Sequence, residues 1–262
     1  MNRRSFAQSI GAVTGLSALA RSSPWTESSD AGAARIMAIA AHPGDGLFTM
    51  GAALAQQIAR GASGALLSLS LGERGAPKDI SVPQYGEMQR TATEKATRLL
   101  GAEAMFLAYP DAEIPFNEES SLAVCDIIRQ YKPDVVVTHW SGSWHKDHQN
   151  CHLIVRDAVF YASLETMTRK QPPHSVSKIY YADNWEDATN FVPDTYLDIE
   201  PVYEKWMQAC DFYPMWRGQT GFFRYNDYYS ALSIMRGCVS GLKRAVALMS
   251  DPGQRMTRPH SL

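Results

Sequence analysis

His42 and Asp45 stand three residues apart in "AAHPGDGLF" (40–48), after the apolar run "ARIMAIA" and before the helix-like "TMGAALAQQIAR". A histidine and an aspartate at that spacing, in a turn that ends a strand, offer a nitrogen and a carboxylate oxygen to a cation. A second stretch, "THWSGSWHKDHQNCH" (138–152), holds four of the chain's seven histidines. His145 and His148 are three apart, His148 and His152 four apart. If "HKDHQNCHLIVRDAVFYA" opens a helix, those spacings put the three imidazoles on roughly one face. Imidazoles converging on His42 and Asp45 would complete a zinc-type site with one position open for water. Asp147 is placed to orient one of the imidazoles. Between the first two ligands lies Gly44, at a position where a proton-accepting side chain would be useful.

The elements that must position these residues are legible as alternating strands and helices. Apolar runs at 34–41, 64–72, 104–110 and 133–140 read as strands, the first and last as buried parallel ones. The segment 85–101 reads as a helix with Gly101 as its C-cap, and 118–133 as a helix closed at Lys132-Pro133. The expected fold class is therefore α/β, a Rossmann-like three-layer sandwich with a mainly parallel sheet in a single domain. His42 and His139 fall just past strand ends, where open α/β sheets bind ligands. The C-terminal third is rich in Trp and Tyr, which suits either a pocket wall or ordinary core packing.

Composition narrows the function classes. The 262 residues are 45% hydrophobic and 20% charged, with a net charge of -2, enough for one full core. Neither this balance nor any Lys/Arg block supports a nucleic-acid binder or a polybasic membrane patch. "MNRRSFAQ" followed by "SIGAVTGLSALA" resembles a twin-arginine export signal, with Ala18 to Ala20 as its cleavage site. Residues 1–33 are expected to be signal and leader, 34–250 the domain and 251–262 a tail. Localisation would then be periplasmic or extracellular, with no membrane span in the mature chain. Cys125, Cys151, Cys210 and Cys238 form no CxxC pair and read as buried thiols.

The motifs together resemble the PIG-L/LmbE-type zinc N-deacetylase family, from about residue 34 to about 248. "AHPGDG" stands where that family has Ala-His-Pro-Asp-Asp-Glu. "GERG" (72–75), "QRTATEKATRLLG" and the "YPD" turn (109–111) match its next features, and "HKDH" (145–148) its second metal motif. The resemblance implies Zn2+ held by His42, Asp45 and His148. It makes His145 the catalytic group that stabilises the oxyanion or protonates the leaving amine, with Asp147 holding that imidazole. Arg74, Arg90 and Asp111 become candidates for substrate contacts, or for salt bridges that fix loops. The implied reaction is removal of an N-acetyl group from an N-acetylglucosamine-type conjugate by zinc-activated water, the partner being that small molecule.

Departures from the family pattern accompany the matches. Gly44 replaces the general base and Gly46 the following glutamate. Lys146 replaces a proline, and the late Ala-His-x-Ser-Gln signature gives way to "ACDFYPMW" (209–216). Asp147, His139 and Glu73 are the candidate substitute bases. The alternative function is a catalytically weakened or inactive zinc-binding relative that binds a glycan or envelope ligand.

Overall fold

The computed structural model describes residues 34–219 and 221–254. The expected leader (1–33) lies outside the described residues, as does the expected tail beyond 254. The first part of the chain alternates strictly: β1 (Arg35–Ala40), a single turn α1 (Pro43–Asp45), α2 (Gly51–Ala59), β2 (Ser63–Ser68), α3 (Val82–Leu100) and β3 (Ala102–Phe106). It continues through α4 (Glu118–Tyr131), β4 (Val135–Thr138), α5 (Lys146–Ser163) and β5 (Lys178–Ala182). The last part adds β6 (Thr195–Asp198), α6 (Tyr203–Cys210), α7 (Tyr225–Ser240) and β7 (Ala245–Ser250).

The seven strands form one sheet in the order β3-β2-β1-β4-β5-β7-β6. The first five are parallel, whereas β7 runs antiparallel to both β5 and β6. The α/β, mostly parallel expectation holds, and the antiparallel edge is an addition to it. From β1 the chain winds outward to β2 and β3, then crosses back to β4. The carboxyl ends of β1 and β4 therefore border the switch-point crevice where such sheets bind ligands. His42 and His139 follow those two ends directly.

Local chemistry sets the helix ends. Ser81 accepts from the Gln84 N–H at the start of α3, and Gly101, at φ 88°, ends that helix. Asn117 and Ser120 form a capping box on α4. Lys132 then takes a left-handed turn (φ 59°) before Pro133. On one sheet face Met37, Ile39 and Leu67 pack against Val124 and Ile128 of α4 and Ile154 of α5. The opposite face carries a second core that includes Ala52 of α2, Ala96 of α3, Trp206 of α6 and Tyr229 of α7. Most of the C-terminal aromatics are consumed there, so core packing claims Trp206, Tyr213, Trp216 and Tyr229. Cys125, Cys151 and Cys210 are buried free thiols, while Cys238 is exposed, contrary to its expected burial.

One buried cation fixes the far end of α5. Arg129 of α4 donates to the carbonyl oxygens of Tyr161, Ala162, Leu164, Met167 and Gln171 at 2.8–3.2 Å. Tyr161, Ala162 and Leu164 close α5, where the macrodipole favours positive charge, and Met167 and Gln171 follow in the loop beyond it. With that end pinned to α4, the N-terminal end, which carries His145 and His148, is held over the crevice. No helix among the described residues is long and apolar enough to cross a membrane.

Candidate metal centre

The loop after β1 starts a helix with Pro43 in its first turn and His42 as the N-cap residue. It then widens into a π-type turn over Gly46–Met50 before α2 begins, a distortion common at functional sites. Carbonyls along this turn are tied down: Thr49 Oγ1 donates to the Asp45 oxygen at 2.7 Å, and the Trp206 indole N–H donates to the Leu47 oxygen at 2.9 Å. Gly46 allows the turn to lie on the sheet, because a Cβ there would be 2.7 Å from Leu66 Cδ1 and 3.0 Å from the Ala40 Cβ.

Three donor atoms converge beside this loop. His42 Nδ1 and Asp45 Oδ2 are 3.0 Å apart, His148 Nε2 lies 3.2 Å from that oxygen, and the two nitrogens are 3.3 Å apart. Ligands at about 2.0–2.1 Å from a tetrahedral zinc ion would be separated by roughly 3.3 Å, so this triangle fits. Each imidazole also has a carboxylate behind it. His42 Nε2 lies 3.0 Å from Asp111 Oδ1 and 3.4 Å from Asp147 Oδ2, while His148 Nδ1 lies 2.9 Å from Asp187 Oδ1. Such outer carboxylates orient metal-ligating histidines and raise their basicity. Burial pulls both imidazoles down, but the carboxylates outweigh it. Asp111, Asp147 and Asp45 hold His42 well above the usual histidine range, and Asp45 with Asp187 brings His148 up to about 9. The cluster is built to hold positive charge, and its two nitrogens and one oxygen suit zinc.

Not every expected histidine joins it. His145 is the N-cap of α5, outside the helix, so the helical spacing begins after it. His152, a turn deeper than His148, turns away from the site: its Nδ1 bonds the His139 carbonyl oxygen at 3.0 Å. The single-face expectation for 145, 148 and 152 is thus corrected. His139 has both nitrogens committed, Nε2 accepting from the Ala41 N–H at 3.1 Å and Nδ1 lying 2.8 Å from Asp187 Oδ2. That leaves His139 no lone pair for a base's role. Its ring instead stacks on His148, with centroids 4.0 Å apart.

Asp147 supports the site differently from the expected way. Its carboxylate accepts from the Ala112 N–H at 2.7 Å and reaches His42, whereas its backbone N–H, at 3.2 Å, donates to His145 Nδ1. That bond leaves the His145 proton on Nε2. Burial, then the neighbouring His148 and His42, pulls this imidazole down to about 4, so it is a neutral donor at pH 7. Glu73 accepts from the Asp111 N–H at 2.8 Å and braces the loop. Arg74 donates its backbone N–H to Asp111 at 3.0 Å and pairs its guanidinium with Glu113. Arg90 lies over the Phe106 ring at 4.5 Å. Neither arginine lines the cavity beside the metal triangle, whereas Asp111 does.

That cavity measures about 150 Å³, and His42, Asp45, Asp111, His145, Glu186 and Tyr225 are among its walls. Gly44 is in the wall as well, and a Cβ there would lie 3.3 Å from Met215 Sδ and from Phe48 Cε2. The sequence reading missed Glu186 and Asp187. Burial and the nearby Asp45 push the Glu186 carboxyl up to about 7, while the histidines hold Asp187 low against its burial. The available signal was their place, an acid pair just beyond the end of β5, the parallel neighbour of β4.

Comparison with known proteins agrees with this arrangement. The family described as "PIG-L: GlcNAc-PI de-N-acetylase" matches residues 37–159, the span from β1 to α5 that contains the triangle. A 4-oxalmesaconate hydratase of Pseudomonas putida is 24% identical over 224 residues, covering 82% of this chain and 83% of that protein. A 1D-myo-inositol 2-acetamido-2-deoxy-alpha-D-glucopyranoside deacetylase of Catenulispora acidiphila is 26% identical over 192 residues, 60% of this chain and 62% of that protein's length. The crystal structure of GalB, the 4-carboxy-2-hydroxymuconate hydratase of Pseudomonas putida, superposes with a TM-score of 0.77 at 21% identity, covering 87% of this chain and all of that one. A hydratase and a deacetylase are thus both similar to this chain in sequence, and the hydratase structure shares its fold. The chain belongs to the PIG-L/LmbE family.

Proposed function

We propose that this protein is a zinc-dependent amide hydrolase that removes an N-acyl group from an uncharged substrate, an N-acetylated amino sugar conjugate being the first class to test. The charge of the cavity carries this reading. Asp45, Asp111 and Glu186 line it, and among the described residues no lysine or arginine does. Asp45 and Asp111 are paired to His42, and no guanidinium or ammonium is there to grip a substrate carboxylate, so such a wall suits a neutral amide.

His42, Asp45 and His148 would hold the zinc, which when bound supplies Lewis acidity and eases deprotonation of water. Asp45 is committed to the ligand triangle and Asp111 to His42, so Glu186 is the lining carboxylate left for proton transfer. It takes a proton from water as the new C–O bond forms and returns it to the amine nitrogen as the C–N bond breaks. His145, with its proton on Nε2, donates to the oxygen on which charge develops. Phe48, Met215 and Tyr225 form the apolar part of the wall.

Gly44 favours a second reading, hydration of an unsaturated carboxylate, because the carboxylate expected of a deacetylase at that position is missing. Zinc-loaded protein should release amine and acetate from N-acetylglucosamine glycosides. If it leaves the whole panel intact but consumes an unsaturated carboxylate without forming amine, the hydratase reading replaces the first. Export belongs to the same proposal and rests on Arg3, Arg4 and Ala18 to Ala20. A reporter fused to residues 1–33 and retained in the cytoplasm would count against it.

A further inference from the structure

An arc of aromatic rings borders the cavity, and both of its ends are cavity-lining residues. From His145 it passes to Trp144 (centroids 5.7 Å apart), to Trp185 (5.9 Å), to Phe223 (4.2 Å, stacked) and to Tyr225 (4.8 Å). His145 and Tyr225 line the cavity. The arc is held in place by backbone. The Trp144 N–H donates to the Glu186 oxygen, the Thr189 N–H to the Gly142 oxygen, and the Trp140 indole to the Thr189 oxygen, at 2.9–3.2 Å. Gly142 makes that approach feasible, since a Cβ there would lie 1.9 Å from the Thr189 oxygen. Even so, Trp144 keeps 66% of its surface in solvent. Fold packing does not account for a tryptophan so firmly positioned and so little covered.

Cavity size supplies the second half of the argument. About 150 Å³ holds a group the size of benzene, below the roughly 300–1,000 Å³ typical of ligand pockets. A substrate whose reacting group reaches the metal triangle must extend past His145 and Glu186, onto the rings beside them. The rings of Trp144, Trp185 and Phe223 offer that part a flat, uncharged surface.

We propose that Trp144, Trp185 and Phe223 form a substrate subsite that stacks an uncharged six-membered ring, aryl or pyranose, carried next to the reacting group. This rests on the reading of the cavity as a substrate pocket, but binding tests it apart from turnover. The probes are phenyl N-acetyl-β-D-glucosaminide for an aryl ring, N,N'-diacetylchitobiose for a second pyranose, and N-acetylglucosamine for neither. The intact zinc-loaded protein is titrated by calorimetry, beside the variants Trp144→Ala and Phe223→Ala, with circular dichroism and metal content as checks on folding. At least one two-ring probe should bind about tenfold more tightly than the single sugar. Most of that gain should vanish in Trp144→Ala with metal content unchanged. Which two-ring probe gains distinguishes aryl from sugar. Equal affinity of all three, an unchanged gain in both variants, or no saturable binding of any probe would overturn the subsite. A gain that depends on Trp144 without release of amine would leave the subsite standing and sink the hydrolase reading alone.

Discussion

At the scale of single residues, the division of labour among carboxylates makes sharp predictions. Glu186 lines the cavity without ligating in the triangle, so Glu186→Gln should lower kcat by about 10²-fold or more while leaving bound zinc stoichiometric. Steady-state kinetics beside metal analysis would check both halves. Asp187 does the opposite work, bracing His148 at 2.9 Å and His139 at 2.8 Å. Asp187→Asn should weaken zinc binding by roughly 10- to 100-fold, read by competition with a chelator. Gly44→Asp places a carboxyl in the cavity wall, with its Cβ 3.3 Å from Met215 Sδ and Phe48 Cε2, side chains that must yield by a few tenths of an ångström. It should fold and raise amide hydrolysis. A rate that falls instead would mark the glycine as an adaptation to another substrate. His42 and Asp45 were legible because they share one turn, whereas spacing left three histidines open and only the resemblance of "HKDH" to a family motif singled out His148. Asp187 was not, because its partners precede it by 48 and 39 residues and only the folded sheet joins them.

Among the elements, α4 and α5 show how a site is steadied from a distance. Arg129 gathers five carbonyl oxygens at the end of α5. Arg129→Met would take from the Met167 and Gln171 oxygens the Arg129 donor, whereas those of Tyr161, Ala162 and Leu164 keep a backbone N–H; each acceptor left unpaired costs about 1–3 kcal/mol. A total loss of about 2–6 kcal/mol is expected in urea unfolding, a large share of the roughly 5–15 kcal/mol that a domain has in all. The C-terminal ends of α3 and α4 and the buried parallel strands could be read from Gly101, Lys132-Pro133 and unbroken apolar runs, whereas α3 begins three residues before its expected start at 85. The pairing of β7 with β5 and β6 could not, because nothing in a short strand's composition names its neighbour or its direction.

For the whole molecule, the crevice between β1 and β4 gathers ligands from two distant segments, His42 and Asp45 after one strand and His148 on the helix after the other. A cation bound there joins both halves of the parallel sheet and binds the native state alone. Zinc at 100 times its dissociation constant should therefore add about 2.7 kcal/mol of stability. For a domain of this size that raises Tm by roughly 5–10 °C, and EDTA should reverse it in a thermal melt. His42→Ala should show no zinc-dependent shift.

The two glycines of the first loop also bear on the history open to this protein. At position 44 an added Cβ would lie 3.3 Å from Met215 Sδ and Phe48 Cε2, so it asks only a few tenths of an ångström of those side chains. At position 46 the Leu66 side chain and the Ala40 Cβ already occupy the space a larger residue would need. An acid there would need the Leu66 side chain to turn aside and would still press on Ala40 of β1. An acid at 44 thus meets side chains alone, whereas an acid at 46 meets the sheet itself.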